Sequence, residues 1–517
     1  MRLQDAIEQE ATKLIRRWER YAQSTHDEMK RRSNRSGISG STSRSVRTPE
    51  HWDLATGFNP YLVRGRAERI ARAIEMQIRS RTYVPRTGVV LEVPKAGEDA
   101  RAVSIFQVAD AALSRLVFLD LIAKNQSKFS AYAFAYRGDI TIHDAVQHIA
   151  LDVGQKFRLF IAEYDFKRYF DSISHDHLNQ IMEDQRFLFT ERERFVVGQF
   201  LKSSSLDMDV YEESGGQVRT KGIPQGTSIS LFLANASAWP LDRGLERIGV
   251  GFARYADDTL IWSNDYSRVN QSVDYLHDMG RAMGVDINLK KSPGISIFSS
   301  PNSHIELAKT STIEFVGYRF SARDSSTQDG PIGIRDSTVR RIKERISEII
   351  FQNLLEQPKL GVFNAERVKP LVDRDYVVAI FQIRRYLYGG LSESRLEQYL
   401  RKSAPRIHYR GVMAFYPLVN DFEQLRELDG WLLRNLWSTL NVRQELWLRH
   451  DGTRLPKPHG LEKERLIDYR GNSLAGDTLD LRLPSFVRMG KLLKKVTTEF
   501  GPNAIAHRRS NMYYGGR

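Results

Sequence analysis

A chain of 517 residues, 41% hydrophobic and 27% charged, is long enough to bury a large core and to hold several subdomains. Its formal net charge of +14 points to a polyanionic partner. The absence of cysteine excludes disulfides, thiol catalysis and Cys-ligated zinc or iron–sulfur sites. No run of ~18 apolar residues suggests a membrane span. The start Met1-Arg2-Leu3-Gln4-Asp5 lacks an apolar signal core. The expectation is a cytoplasmic protein with no membrane partner.

Residues 1–22 read as an amphipathic helix, with Ile7, Ala11, Leu14, Trp18 and Tyr21 on one face. Lys30 to Arg47 is rich in Ser, Gly and Arg and holds no acid, which predicts a mobile loop. It serves either as a phosphate-contacting arm or as a solvated linker. Residues 60–85 read as helical and basic. Val89 to Lys95 reads as a strand that turns at Ala96-Gly97-Glu98-Asp99 and resumes at Arg101 to Ile105. That hairpin brings Lys95 close to Arg101, as a triphosphate clamp requires, though taken alone surface charges on a hairpin are the better reading. A helix follows, with Ala112, Leu116, Leu119, Leu121 and Ile122 on or near its apolar face.

Phe157 to Asp165 reads as a buried strand that ends on an acid. Ser174 is placed to cap the next helix, with Asp176 in its first turn. Gly215-Gly216 marks a turn. Gly222-Ile223-Pro224-Gln225-Gly226 forms a rigid loop, and Ser228 opens a helix running to about Leu241.

Arg254-Tyr255-Ala256-Asp257-Asp258 lies between two period-2 apolar segments, Phe252-Ala253 and Leu260-Ile261-Trp262. The pattern predicts a hairpin with the acids at its turn. Adjacent carboxylates repel, so such a turn either faces solvent or favours a divalent cation. Val269, Val273, Leu276 and Met283 mark the next helix face, and Gly284 to Asn288 leads to Lys290-Lys291. Ile313 to Tyr318 reads as a short strand and turn. From about 335 the chain is helical. Val339, Ile342, Ile346, Ile349 and Leu354 form a stripe, while Arg340, Arg341, Lys343 and Arg345 face a nucleic-acid backbone or solvent. Further helices are expected near 376–402 and 421–448, then a basic tail from about 455 ending Asn511-Met512-Tyr513-Tyr514-Gly515-Gly516-Arg517. No internal repeat is present.

In this order the pieces resemble a reverse transcriptase. Tyr255-Ala256-Asp257-Asp258 looks like the family's Tyr-x-Asp-Asp box, and Asp165 with Phe170-Asp171 like its first acidic motif. Gly222 to Gly226 resembles the Gln-Gly motif, Lys291-Ser292 the Lys-Thr/Ser motif, and Phe315 to Tyr318 the primer grip. Pro94-Lys95 through Arg101 resembles the fingers hairpin of group II intron and bacterial enzymes, with Ala102 where proline is usual. Tyr132 to Arg137, followed by His143-Asp144-Ala145, resembles the bacterial Gly-Phe-Arg segment. It departs from that pattern as Ala133-Phe134-Ala135-Tyr136-Arg137, in the manner of retron-like and abortive-infection enzymes. The resemblance covers roughly 85–330, more weakly to about 445, and leaves 1–60 and 455–517 unexplained.

The resemblance implies an α+β right-hand polymerase: fingers and palm with an antiparallel palm sheet plus helices, then an α-helical thumb and a C-terminal extension. The expected division is 1–85 as an N-terminal helical and basic extension, 86–330 as fingers and palm, 331–450 as a helical thumb-like domain, and 451–517 as a basic extension. It implies catalysis by Asp165, Asp257, Asp258 and Lys291, and ligation of two Mg²⁺ ions, or Mn²⁺, by Asp165, Phe166, Asp257 and Asp258. Lys291 would protonate the leaving pyrophosphate or stand as an exposed lysine in a basic loop. Lys95, Arg101, Phe170, Gln225 and Gly226 would bind the nucleotide, and Phe315, Gly317 and Tyr318 would form the primer grip. Phe170 takes the steric-gate position, where RNA-dependent RNA polymerases usually carry an acid, so DNA synthesis from deoxynucleotides is implied.

Within the family, the length and the missing cysteines favour a bacterial antiphage-defence enzyme with its own structured non-coding RNA. The alternatives are a group II intron-like maturase or RNA-binding factor, and a template-independent DNA polymerase of the abortive-infection type. The implied partners are an RNA template, deoxynucleotides and a DNA product, with a homo-oligomer compatible with all of them. Tyr513 or Tyr514 would be a protein primer, or else an incidental tyrosine at a chain end.

Overall fold

Three β-rich segments between residues 158 and 310 pair into one sheet, and that sheet sets the position of every candidate acid. The computed structural model describes residues 2–36, 46–95, 98–184, 186–300, 308–323, 330–369, 372–402, 404–405, 409–472 and 478–505. The chain divides into two units, one formed by residues up to 24 with 45–310, the other mainly by 311–510.

In the first unit, the part of α1 (Leu3–Ser36) up to Ser24, α2 (Pro60–Gly65) and α3 (Ala67–Arg79) precede a hairpin of β1 (Gly88–Lys95) and β2 (Glu98–Ile105). Then come α4 (Val108–Asn125), α5 (Ile142–Val153), β3 (Arg158–Tyr164), β4 (Phe166–Lys167), α6 (Tyr169–Ser172), α7 (His175–Glu183), α8 (Glu191–Leu201) and β5 (Ser205–Leu206). The unit closes with α9 (Ser228–Ser237), α10 (Trp239–Ile248), β6 (Gly251–Tyr255), β7 (Asp258–Ser263), α11 (Tyr266–Met283), β8 (Asp286–Ile287), β9 (Gly294–Ser299) and β10 (Lys309–Thr310).

The palm sheet runs β10-β9-β3-β7-β6, antiparallel from β9 to β6. β3 lies at its centre, with Tyr164 opposite Thr259 and Glu163 opposite Gly294. One face is covered by a core that joins Ala162, Phe252 and Ile261 of the sheet to Leu113, Val117, Phe232, Leu233, Val269 and Leu276 of α4, α9 and α11. Burial of those side chains is the main stabilising term, at about 25 cal/mol per Å² of apolar surface. The fingers sheet is β2-β1-β5, with Gly88 of β1 parallel to Ser205 of β5.

The second unit holds a small antiparallel sheet of β11 (Thr312–Phe315), β12 (Tyr318–Ser321) and β13 (Ile332–Ile334). Helices follow: α12 (Asp336–Leu354), α13 (Glu356–Lys359), α14 (Arg374–Tyr388), α15 (Glu393–Arg401), α16 (Phe422–Asp451) and α17 (Phe486–Phe500). The unit's buried centre is polar as well as apolar. Asp373 caps α14 and receives Arg443 at 3.0 Å and His459 at 2.8 Å, all three buried. No helix of the described residues is long and apolar enough to cross a membrane.

Several expectations are corrected. The first helix continues through Ser36, so Lys30–Ser36 is helical rather than loop, because nothing before Gly37 breaks it; 37–45 lie outside the described residues. The segment 60–85 breaks at Arg66 and ends at Arg79. Leu119 is 43% exposed, since the α4 face toward the core is set by Leu113, Val117 and Leu121. Ser174 occupies the N-cap of α7 without a capping hydrogen bond from its side chain. The helix expected from Ser228 to Leu241 is two helices that break at Ala238, with Pro240 in the first turn of the second. The basic tail contains α17, whose Phe486, Met489, Leu492, Leu493 and Val496 are buried.

Candidate active site

The acidic turn is a two-residue hairpin closed by the Tyr255–Asp258 pair. Ala256 sits at φ +60°, a left-handed conformation that costs a non-glycine residue about 1 kcal/mol or more. Arg254 holds it there. Its guanidinium is fully buried, forks onto Asp242 at 2.6 and 2.7 Å, and donates to the Ala256 carbonyl at 3.0 Å and to Asn235 Oδ1 at 3.3 Å. Burial disfavours the charge, but Asp242 more than offsets it and raises the Arg254 pKa. The outer edge of β6 is zipped to the segment after α4. The Arg254 amide donates to Tyr132, and the Phe134 amide donates to Arg254, both at 2.9 Å.

Asp165 follows directly on β3, and the Tyr164–Thr259 pairing puts it beside the hairpin turn. It is nearly buried, at 7% exposure. Its carboxylate accepts from Asn288 Nδ2 at 3.2 Å and pairs with Lys291 Nζ at 3.2 Å. Its amide donates to Ser292 Oγ at 3.2 Å. Asp257 lies near enough that the Asp165 charge and a side-chain hydrogen bond with Asp165 favour its protonated form. Burial first, then the Asp258 and Asp165 charges, push Asp257 up to about 7. Asp258 is exposed. The expected four ligands therefore separate into a facing pair, Asp165 and Asp257, an exposed Asp258, and Phe166, which can offer only its main-chain carbonyl. Among the described residues no three His, Asp or Glu side chains are grouped to hold a metal ion. The facing pair nevertheless fits a cation, because two partly desolvated carboxylates are stabilised by positive charge between them. In this structure Lys291 supplies that charge to Asp165.

The Gln-Gly loop is wedged between β2 and the α6 turn. Ser104 donates its amide to the Gln225 carbonyl at 2.7 Å, and Gln225 Nε2 donates to both Asp171 carboxylate oxygens at 3.1 Å. Gly226 has φ +124°, and a Cβ there would lie 2.1 Å from the Ser104 carbonyl oxygen, so no side chain fits. Ile223 donates to the Phe170 carbonyl at 2.6 Å, which fixes the Phe170 backbone. The half-buried Phe170 ring meets Tyr169 and Tyr136 edge-on, at 6.0 and 6.3 Å. Arg101 is exposed on β2 opposite Val93. The Lys95 backbone is in β1 opposite Glu98, and its side chain lies outside the described residues.

Phe315, Gly317 and Tyr318, expected to form a primer grip, lie in the second unit. Phe315 and Tyr318 flank a turn with Val316 at φ +45° and Gly317 at φ +88°, and Tyr318 donates to the Phe415 carbonyl at 3.2 Å. Burial raises the Tyr318 pKa. Tyr513 and Tyr514 lie outside the described residues. Four residues of the site, Arg254, Asp242, Asn288 and Tyr136, had not been expected from the sequence. The first two carried a weak signal, a basic residue against a buried acidic one at the sheet edge. The last two are placed by loops whose course no periodicity reveals.

An antiparallel palm with paired acids at its turn, a fingers hairpin and a Gln-Gly loop between them define a polymerase of the right-hand class. Residues 93–320 match the family model described as reverse transcriptase (RNA-dependent DNA polymerase). By that match residues 93–320 form a reverse transcriptase domain. Two solved structures are similar to it. One is apo telomerase from Candida tropicalis truncated from its C-terminal domain, at 11% identity and a TM-score of 0.34 over 46% of this chain and 53% of that chain. The other is telomerase from Candida albicans in complex with a fragment of telomeric RNA, at 12% identity and a TM-score of 0.35 over 75% of this chain and 66% of that chain. The chain thus spans about half of the first and just under two thirds of the second. No curated protein matches.

Proposed function

We propose that the protein copies RNA into DNA, selecting deoxynucleotides through Phe170, in a cytoplasmic bacterial antiphage-defence system with a dedicated structured RNA. The observation that carries the polymerase reading is the facing pair of Asp165 and Asp257, fixed by β3 and by the Arg254-buttressed turn. The defence and RNA readings rest on less. They are supported by the +14 charge and by the departure of Ala133 to Arg137 from the usual segment.

Two Mg²⁺ ions, when bound, would activate the primer hydroxyl and stabilise the departing pyrophosphate. Asp165 and Asp257 would hold them, with Asp258 and the Phe166 carbonyl beside them. Arg101 presents a guanidinium to the triphosphate. Gln225, held between Ser104 and Asp171, positions the sugar and base. Lys291 is within 3.2 Å of Asp165, so its ammonium can compensate charge at the acids or give a proton to the leaving group.

The test is primer extension on an RNA template by purified protein, with deoxynucleotides and ribonucleotides compared. Mg²⁺-dependent DNA synthesis is expected. Phe170→Ala is expected to lower the preference for deoxynucleotides, by roughly tenfold or more, because the ring that collides with the ribose is gone. No incorporation by wild-type protein would overturn the polymerase reading. Sequencing of co-purified nucleic acid checks the dedicated RNA, and a random population would remove it.

A further inference from the structure

Tyr136 holds the most unusual position near the site that the proposed reaction leaves unused. It has φ +59°, where a bulky residue is strained and glycine is not. The strain is held in place on both sides. Ala135 accepts from the buried Asn235 Nδ2 at 2.5 Å, and Arg137 donates to the Ser130 carbonyl at 2.6 Å. Phe134 is bonded to Arg254 of the acidic hairpin. The left-handed turn sends the ring toward Phe170, which it meets at 6.3 Å with planes 85° apart. Phe170 also meets Tyr169, likewise edge-on at 84°. Tyr169 cannot turn, because its buried hydroxyl donates to the Ala234 carbonyl at 2.7 Å and lies 2.8 Å from Ser237 Oγ. Tyr136 also lies within electrostatic reach of Asp257 and Arg101, so it borders the space between the acids and the triphosphate side.

We infer that Tyr136 is a positioning residue for sugar selection, the second wall that keeps the Phe170 ring pressed toward the incoming nucleotide's 2′ carbon. The inference rests on the polymerase reading and on Phe170 as the sugar-contacting ring. An aromatic ring touched on only one side can swing about its χ1 axis. A ring held between two edge-on neighbours cannot swing without leaving one of them. A strained turn held by hydrogen bonds on both sides and by a ring contact places that second neighbour.

The experiment compares the ratio of kcat/KM for deoxynucleotide over ribonucleotide in wild type, Phe170→Ala, Tyr136→Gly, Tyr136→Leu and Tyr136→Phe. Glycine suits the left-handed backbone, so Tyr136→Gly removes the ring without adding strain. The ratio is expected to fall in Tyr136→Gly and Tyr136→Leu by roughly tenfold, through better use of ribonucleotides, and to return in Tyr136→Phe. Separate KM and kcat values identify the cause, since a merely structural role lowers both substrates' kcat equally. A wild-type ratio in Tyr136→Leu overturns the inference if Phe170→Ala lowers its own ratio, even when Tyr136→Gly has lost all incorporation. A wild-type ratio in Phe170→Ala instead overturns the gate reading itself.

Discussion

Asp257 shows why a polymerase acid is a liability to the fold that carries it. Its carboxyl is raised from 3.8 to about 7 by burial and by Asp258 and Asp165. The folded state therefore holds a proton that the unfolded chain has released, and stability falls as pH rises from about 4 to about 7. Asp257→Asn is expected to flatten that slope and raise stability at neutral pH by about 1–2 kcal/mol, discounted for partial exposure. The same change is expected to lower incorporation by roughly 10²–10³-fold, the size of the effect when one electrostatic partner is removed from a reacting centre. Melting curves from pH 4 to 8 beside incorporation assays check both. Mg²⁺ should stabilise wild type by linkage and the variant much less. At this scale the hairpin with its acids at the turn was legible in the sequence, because period-2 apolar alternation flanks them on both sides. The Lys291–Asp165 pairing was not, because a lysine in a loop carries no period that says which way it points.

At the level of elements, the acidic hairpin depends on an ion pair remote from the reaction. Arg254→Leu leaves Asp242 buried without its partner, and is expected to cost about 3–5 kcal/mol and to release the Ala256 turn. Replacing Arg254 and Asp242 together by leucines should cost less than the single change, a comparison that chemical denaturation measures. Incorporation should stay low in both, since each loses the hold on Ala256. Gly226→Ala places a Cβ against the Ser104 carbonyl, so the loop must shift, and the KM for nucleotide is expected to rise by roughly tenfold or more. The strands and the Gln-Gly loop were legible from alternation and from glycine. The break at Ala238 was marked by Pro240, which opens a second helix as readily as it ends a first, and the run of α1 through Ser36 was not legible, because its Ser and Asn residues favour helix and loop about equally.

Across the whole molecule, legibility divides near the unit boundary. Between about residue 85 and Tyr318 the order of motifs places the strands and loops around the acids, whereas beyond it helix stripes name only helices. The buried Asp373–Arg443–His459 cluster and the apolar face of α17 are set by tertiary packing, which spacing along the chain does not display. The +14 charge makes a whole-molecule prediction. RNA affinity should fall with salt at a slope of roughly −0.7 to −0.9 per phosphate neutralised. Arg340→Gln with Arg341→Gln on α12 should flatten it by about one unit for each phosphate no longer neutralised. A slope unchanged by the pair assigns that face to solvent. The single bond between the Ser104 amide and the Gln225 carbonyl has a mechanical consequence. Arg101 and Ser104 share one strand, and Gln225 grips Asp171. With Arg101 on the triphosphate and Phe170 on the sugar, as proposed above, a pull on the fingers would pass through this bond as a lever stroke to the base of the Phe170 turn, and nucleotide capture and sugar inspection would become one mechanical event. Hydrogen exchange of the Ser104 amide should slow when the correct nucleotide is bound.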